Sequence, residues 1–344
     1  MASPFSLKMI GLYLGIFSGV IFAEELQLNP DHPDHYTVVS GDTLWDIAGR
    51  FLTHSWQWPE IWHHNPDLVN PHLIYPGDVL VLSYDHGRPS LAVETPSELR
   101  LNPEIRSSPI TEAIPVIPMN AIHQFLGKPQ VVSEHELKNA AYIVDFGGEH
   151  VIGGAGDSVY ARALADRSET NYAIFRSGQV YKDADTGVVL GYEAVYAGDA
   201  QLQRAGDPAI LLLTRTDREV LIGDRLLPLE QEKIQINFQP HAPKTSIRGH
   251  IINVVDGVSQ IGQFHVVALD RGSADGLEIG HVLDIFQSRS VVRGQVDRRI
   301  GETVKLPEEK AGELMVFRVF ERVSYALVMK TTRNLNVLDV VQTP

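Results

Sequence analysis

The sequence predicts a multidomain fold: a small α+β domain of strand-helix-helix-strand order, a Pro-rich linker, and a mainly β C-terminal region built as a barrel or sandwich. Three observations lead to this prediction. All four tryptophans fall within residues 35–84, six prolines fall within residues 85–118, and short β-branched runs separated by Gly, Asp and Asn turns fill the rest. A chain of 344 residues has room for at least two domains of about 150 residues.

Composition limits the classes of partner and chemistry. The chain has 43 acidic and 29 basic residues and a formal net charge of -14, which argues against nucleic acid as a partner because phosphate binding needs a clustered cationic face. It has no cysteine, which excludes disulfides, thiolate metal sites, cysteine nucleophiles and a lipid-modified N-terminal cysteine. Hydrophobic residues make up 44%, enough for a buried core.

Residues 1–23 have the pattern of a secretory signal peptide. Lys8 is the only charge in this stretch, and the apolar run 9–22 that follows it ends at Ala23. The run is short and interrupted by glycines, which favours a cleaved signal over a membrane span. We therefore expect an exported protein. The alternative is an uncleaved N-terminal anchor, since Ile21 stands where a small residue is usual in a cleavage site.

The Trp-rich segment 35–84 is predicted to form a compact domain. A β-branched run at 36–39 predicts the first strand, and a turn at 40–42 ends it. Thr43 and Asp46 match the helix-start box S/T-x-x-D/E. The first helix then has one apolar face, made of Leu44, Ile47, Ala48 and Phe51.

The rest of this segment predicts a second helix and a final strand. Pro59 is a favoured first-turn residue, so the second helix is expected to begin there and to end at Asn65-Pro66. A strand at 79–82 follows the turn at 75–78. The insertion that contains Trp56 and Trp58 lengthens the connection between the helices, and we expect one of these rings to lie in the core, although either could flank a binding groove.

Residues 85–118 are predicted to be a linker. Pro-rich sequence resists both helix and central strand, which predicts a semi-extended tether. The alternative is ordered coil that wraps over a neighbouring domain.

The C-terminal half is predicted to contain β-rich domains at 119–239, with short N-terminal helices, and at 244–344. A capping box at Ser133 and Glu136 marks the second of these helices. The two halves are candidate repeats, because phrases recur in the same order: Ile174-Phe175-Arg176-Ser177 resembles Ile285-Phe286-Gln287-Ser288, and Ala209-Ile210-Leu211 resembles Ala326-Leu327-Val328. Chance similarity between β-rich segments is the alternative.

No catalytic motif stands out. The Gly-rich stretch 147–156 lacks the Lys-Ser/Thr of a phosphate-binding loop and is expected to be a hairpin turn. Four histidines, His54, His63, His64 and His72, lack the i, i+4 pairing of a helical metal site and are expected at the surface. We predict no metal, no cofactor and no enzymatic activity. A pair of carboxylates formed only in three dimensions stays open, as in a glycosidase.

The motif of residues 36–48, together with Asn65-Pro66 and the phrase at 70–80, resembles the lysin-motif (LysM) family. The resemblance implies binding to N-acetylglucosamine glycans, in bacteria usually peptidoglycan, in a shallow groove between two loops. Carried onto this sequence, the glycan-binding residues are Ser40, Gly41, Asp42, Thr43 and Leu44 in the first loop, and Ile74, Tyr75, Pro76 and Gly77 in the second.

The residue types suit a neutral sugar. Backbone groups freed at the Gly41 and Gly77 turns can pair with acetamido groups, while Leu44, Ile74 and Pro76 offer apolar contact. The alternative is that both loops serve folding only, with Thr43 as a helix cap and Gly77 as a turn residue.

The whole layout is similar to type IV pilus secretin-associated proteins, and the phrase at 273–283 resembles the C-terminal domain of the flagellar assembly protein T family. These resemblances imply a periplasmic protein that ties an outer-membrane secretin to the cell wall, with the secretin as a partner and a homo-oligomer around it. The alternatives are a LysM-targeted cell-wall hydrolase and a flagellar basal-body-associated protein.

Overall fold

The computed structural model describes residues 26–62, 74–94, 113–126, 130–148, 151–164, 169–229, 238–255, 260–287, 292–293, 303–304 and 307–344. The expected signal peptide, residues 1–23, lies outside these ranges. None of the helices they contain is long and apolar enough to cross a membrane.

The N-terminal domain is an α+β unit with a three-stranded antiparallel sheet of order β1-β2-β3. Its elements are β1 His35–Thr37, α1 Leu44–Phe51, a 3-10 turn Ser55–Gln57, α2 Trp58–Trp62, β2 Val79–Asp85 and β3 Arg88–Val93. The second helix begins one residue before Pro59, and its expected end at Asn65-Pro66 lies outside the described residues.

Helix α1 forms where the sequence predicts it. Thr43 is its N-cap, and the Thr43 Oγ1 accepts a hydrogen bond from the Asp46 amide at 3.1 Å. The cap supplies one of the orphan amides of the first turn with a partner. The predicted apolar face is wholly buried and consists of Leu44, Ile47, Ala48 and Phe51.

The expected tether differs from the structure at both ends. Strand β3 lies inside the range 85–118 and forms a hairpin with β2 through the turn at His86 and Gly87. A proline, Pro89, is tolerated there because β3 is an edge strand, where a missing amide donor breaks no ladder bond. At the other end, residues 113–117 lie against the N-terminal domain. Residues 95–112 are outside the described ranges.

The chain continues with α3 Met119–Leu126, and the middle domain follows with β4 Gln130–Val132 and α4 Glu134–Asn139. The predicted capping box of Ser133 and Glu136 is present at the start of α4. Six further strands follow, namely β5 Ala141–Phe146, β6 Ser158–Arg162, β7 Asn171–Lys182, β8 Val189–Arg204, β9 Ala209–Thr216 and β10 Arg225–Pro228. Because β8 also pairs with β9, these strands close a ring of order β5-β6-β9-β8-β7-β10.

The C-terminal domain is a closed six-stranded barrel of order β11-β12-β17-β16-β13-β18. A two-stranded pair, β14 with β15, stands apart from the ring. The strands are β11 Arg248–Val254, β12 Val266–Leu269, β13 Val282–Gln287, β14 Val292–Arg293, β15 Thr303–Val304, β16 Glu309–Val319, β17 Ser324–Thr331 and β18 Val340–Gln342. This mainly β region confirms the predicted fold class.

The ring of the middle domain, here called the first barrel, and the C-terminal ring, the second barrel, are structural repeats, as the recurring sequence segments indicated. When β5 to β10 are matched in order with β11, β12, β13, β16, β17 and β18, the two rings have the same strand order. The loops match as well. The bridge between Gly153 and Val220 in the first barrel corresponds to the bridge between Ile261 and Leu335 in the second.

The second barrel is buried on both faces. Along β17, Ala326 and Val328 belong to the interior cluster, to which all six strands contribute. The alternate residues Tyr325, Leu327 and Met329 belong to a second cluster that also contains the core of the N-terminal domain. Successive side chains of a strand point to opposite faces, so the side chains of β17 alternate between the barrel interior and the second cluster.

Candidate functional site

The first predicted loop, residues 40–44, is a tight turn held by Asp42. Its Oδ2 accepts hydrogen bonds from the Val39 amide and from the Tyr36 hydroxyl, both at 2.9 Å. Gly41 has φ +97°, a conformation that L side chains rarely adopt. Burial and the Asp42 carboxylate raise the pKa of Tyr36, so its hydroxyl stays a donor.

The second loop, residues 74–77, is a turn of the same kind and lies beside the end of β1. The Tyr75 amide donates to Asp78 Oδ2 at 2.9 Å, and Gly77 has φ +102°. The Gly77 amide donates to the Val38 carbonyl, and the Val38 amide donates to the Asp78 carbonyl, each at 2.8 Å. These bonds fix the two loops side by side.

The start of α1 places two amide donors without intrahelical acceptors between the loops. Thr43 satisfies only the Asp46 amide, and its hydroxyl donates to Asp46 Oδ2 at 2.7 Å. The amides of Leu44 and Trp45, at the first two helical positions, therefore have no intrahelical acceptor. On the opposite side, the Ile74 carbonyl is an acceptor that faces the same space.

The chain itself fills this groove. The Leu44 amide donates to the Pro115 carbonyl at 3.0 Å, and the Trp45 amide donates to the Val116 carbonyl at 3.2 Å. The Ile114 amide donates to the Ile74 carbonyl at 2.9 Å. The segment 114–116 thus lies between the two predicted loops and is bonded to both.

The predicted site residues fall into two groups. Leu44 and Ile74 are fully buried, and Asp42 and Thr43 are nearly so and serve the turn and the helix cap. The other five are wholly or partly exposed around the groove, namely Ser40, Gly41, Tyr75, Pro76 and Gly77.

Sequence reasoning missed the Trp45 amide and the segment 114–116. Residue type does not show whether a backbone amide is available for binding. Only the position of Trp45 in the first turn of the helix indicates it. The segment had a weak signal, because Ile114, Val116 and Ile117 are apolar residues inside a Pro-rich stretch. All three are buried, with exposed fractions of 5%, 8% and 0%.

The LysM family model matches residues 36–83. Residues 36–83 are a LysM domain. This stretch contains both loops and spans the order of elements that the sequence predicted. LysM domains bind peptidoglycan- or chitin-type glycans of N-acetylglucosamine.

A curated relative matches a short stretch of the chain. The chain is 41% identical over 58 residues to a Bacillus subtilis (strain 168) protein named "Uncharacterized protein YqbP". The match covers 14% of this chain and 26% of the relative, so it spans about a quarter of that protein.

The Trp-rich insertion is part of the LysM core. Trp56 and Trp58 are 6% and 2% exposed, which confirms that rings of this insertion lie inside. His54, expected at the surface, is half-buried next to the Trp56 ring, with 6.1 Å between ring centroids. His63, His64 and His72 lie outside the described residues.

Among the residues that the structure describes, one group of metal-ligand type lies around the start of β13 in the second barrel. The potential ligand atoms of His241, Glu278 and His281 are within 4.8 Å of one another. However, His281 Nδ1 accepts a hydrogen bond from the Glu278 amide at 3.0 Å, so in the neutral ring Nε2 carries the proton. Burial and the neighbouring His241 lower the pKa of His281. The hydrogen bond between Glu278 and His281 stabilises a turn. The resulting His281 tautomer, with the proton on Nε2, opposes coordination of a metal through that atom.

Proposed function

We propose that this protein is a non-enzymatic periplasmic anchor that binds peptidoglycan through its LysM groove and links the type IV pilus secretin to the cell wall. The observation that carries the glycan-binding part is the groove itself. It offers two backbone donors, Leu44 N–H and Trp45 N–H, and one acceptor, the Ile74 carbonyl, beside apolar side chains.

This set of groups complements an acetamido substituent. Such a substituent presents a carbonyl acceptor, an N–H donor and a methyl group within a few ångströms. The two helix amides suit the carbonyl, the Ile74 carbonyl suits the N–H, and Leu44 and Ile74 suit the methyl. A neutral sugar needs no charged partner, which agrees with an acidic chain that would be repelled by an anionic wall.

Retention on purified peptidoglycan sacculi tests the glycan-binding part. Gly77→Val places a β-branched residue at φ +102° and displaces the second loop, so we expect retention to fall at least about fivefold. Gly187→Val is the matched control, since Gly187 also has positive φ and open space but lies in the β7–β8 turn. Equal retention of wild type and Gly77→Val would overturn glycan binding through this groove.

The secretin partnership and the absence of enzymatic activity are tested separately. Crosslinking of intact envelopes followed by purification of this protein should recover the secretin. If it recovers wall fragments but no secretin, the pilus assignment is wrong and only wall binding stands. A clearing zone in a peptidoglycan zymogram of the purified protein would contradict the non-enzymatic assignment.

A further inference from the structure

Residues 113–126, here called the strap, connect the LysM groove to the second barrel. At one end, residues 114–116 make three backbone hydrogen bonds to Leu44, Trp45 and Ile74. At the other end lies helix α3. The strap is thus bonded to both bodies within fourteen residues.

The barrel end of the strap is held by Arg318 of β16. This side chain is 8% exposed, and its Nη1 donates to the carbonyls of Phe125 and Leu126, both at 3.2 Å. The last carbonyls of a helix lack intrahelical partners, and a guanidinium satisfies them with charge-assisted bonds. The C-terminal end of α3 is therefore fixed to the barrel wall.

The groove end of the strap has the chemistry expected of the glycan. The carbonyls of Pro115 and Val116 accept hydrogen bonds from the two helix amides. The Ile114 amide donates to the Ile74 carbonyl. Ile114 and Val116 are buried there, and Ile117 is fully buried. A sugar acetamido group needs the same two donors, the same acceptor and the same apolar floor.

We propose that the strap is an intramolecular competitor for glycan, so that the LysM groove is closed in the structure and opens only when residues 114–116 withdraw. The inference rests on the proposed glycan binding. Glycan and strap cannot both use the amides of Leu44 and Trp45. Binding of glycan therefore requires the open state, and by linkage glycan releases the strap.

Apparent affinity measures this competition. A ligand that binds only the open state has its affinity reduced by the fraction of molecules that are open. Ile117→Asp removes the buried apolar contact of the strap and places a carboxylate there, while the groove residues are unchanged. We expect this variant to bind N-acetylglucosamine hexamer at least about tenfold more tightly than wild type. Ile117→Ala should show a smaller gain.

Pro115→Ala is the matched control in the strap. Pro115 is exposed and bonds through its carbonyl, which alanine keeps, so hexamer binding should equal that of wild type. Far-ultraviolet circular dichroism verifies that each variant is folded. Should Ile117→Asp fail to fold, Ile117→Ala carries the comparison.

Amide hydrogen exchange on the full chain provides the second readout. Addition of hexamer to wild type should increase exchange at the Ile114 amide, while the amides of Leu44 and Trp45 stay protected by the sugar. Equal affinity of wild type and both Ile117 variants, with Ile114 protection unchanged by bound sugar, would overturn the competition and leave glycan binding intact. Absence of hexamer binding in wild type and in all variants would overturn both proposals.

Discussion

At the scale of single residues, one four-residue turn recurs seven times in the described part of the chain. In each turn the third residue has positive φ, and the side chain of the fourth accepts a hydrogen bond from the amide of the first. The fourth residues are Asp42, Asp78, Asp157, Asp224, His265, His281 and Asp339. The turn has the positive φ of type II and a side-chain bond that rigidifies it.

Two of these turns carry a non-glycine residue at the strained position. Leu338 has φ +75°, while the corresponding residue of the first barrel is Gly223 with φ +92°. Leu338 is 54% exposed, so its side chain adds little burial to offset the strain. Leu338→Gly should therefore stabilise the protein by about 1 kcal/mol, measured by denaturant unfolding.

Val337→Gly is the control for this prediction. Val337 is the second residue of the same turn, is exposed and has ordinary φ, so glycine there should destabilise by about 0.5–1 kcal/mol. If Leu338→Gly raises the free energy of unfolding and Val337→Gly lowers it, the difference isolates backbone strain at Leu338. If both changes destabilise equally, strain at Leu338 is not the cause.

His281 gives its turn a dependence on pH. Burial, with a smaller contribution from His241, lowers the pKa of His281 below 6.5 in the folded protein, whereas Glu278 opposes this shift. Between the two pKa values the unfolded state binds more protons, so this contribution to stability is complete above pH 6.5 and declines below it. Protonation also removes the Nδ1 acceptor of the Glu278 amide.

His281→Asn keeps an acceptor and cannot titrate. The decline in the free energy of unfolding from about pH 6.5 to pH 5 should therefore be smaller in this variant than in wild type. Denaturant unfolding at several pH values measures it. Parallel pH profiles for the two proteins would assign the dependence to other groups.

At the scale of elements, the β7–β8 hairpin joins the two barrels. Its turn residue Asp183 accepts hydrogen bonds from the Thr186 amide at 2.7 Å and from Arg271 of the second barrel at 3.0 Å. Further along the hairpin, the hydroxyls of Tyr181 and Tyr325 lie 3.4 Å apart in a buried contact. The hairpin is thus both a barrel wall and an interdomain joint.

Asp183 predicts how this joint responds to acid. Hydrogen bonds from the Thr186 amide and hydroxyl, together with Arg271, lower the pKa of Asp183 to about 2. Its stabilisation is present above the ordinary pKa of 3.8 and is lost as pH falls through about 2.

Asp183→Asn should remove the part of the acid sensitivity between about pH 4 and pH 2, which thermal unfolding across that range would show. Asp185→Asn is the control, because Asp185 is an exposed carboxylate in the same turn. An unchanged acid profile in Asp183→Asn would contradict the assignment.

Element by element, prediction from the sequence succeeded where the signal is local. The cap at Thr43, the apolar face of α1 and the capping box at Ser133 are set by neighbours within four residues. The repeat was visible because equivalent strands keep matching phrases such as those at 174–177 and 285–288. Strand β3 was missed because Pro89 argues against a strand, and only its edge position makes it acceptable.

At the scale of the whole molecule, the LysM core and the outer face of the second barrel form one hydrophobic cluster. Sequence could not reveal this, since the contacts join residues more than 190 positions apart, such as Arg318 and Phe125. For the same reason the groove was predicted while its occupant was not. The loops have a family pattern, but the groove end of the strap, residues 114–117, has only three apolar residues among prolines.

Arg318→Met tests how this assembly is held. Removing the guanidinium leaves the carbonyls of Phe125 and Leu126 without that donor, which should cost about 1–3 kcal/mol locally. Amide exchange in α3 should rise at least about fivefold, while exchange in the barrel strands is unchanged. Arg322→Met is the control, because Arg322 is bonded to Val189 on the hairpin. Unchanged exchange in α3 would show that packing alone fixes the strap.

The covalent attachment of the strap has a consequence for which form of glycan the groove selects. Eighteen residues, 95–112, separate the described end of the LysM sheet from the described start of the strap. A competitor attached through so short a connection acts at an effective concentration on the order of millimolar. Under the proposed competition, soluble wall fragments of similar intrinsic affinity and lower concentration would lose to the strap, whereas an intact wall would present many neighbouring sugars for rebinding. The closed groove would then select polymeric wall over soluble fragments by the local density of the ligand and not by its shape.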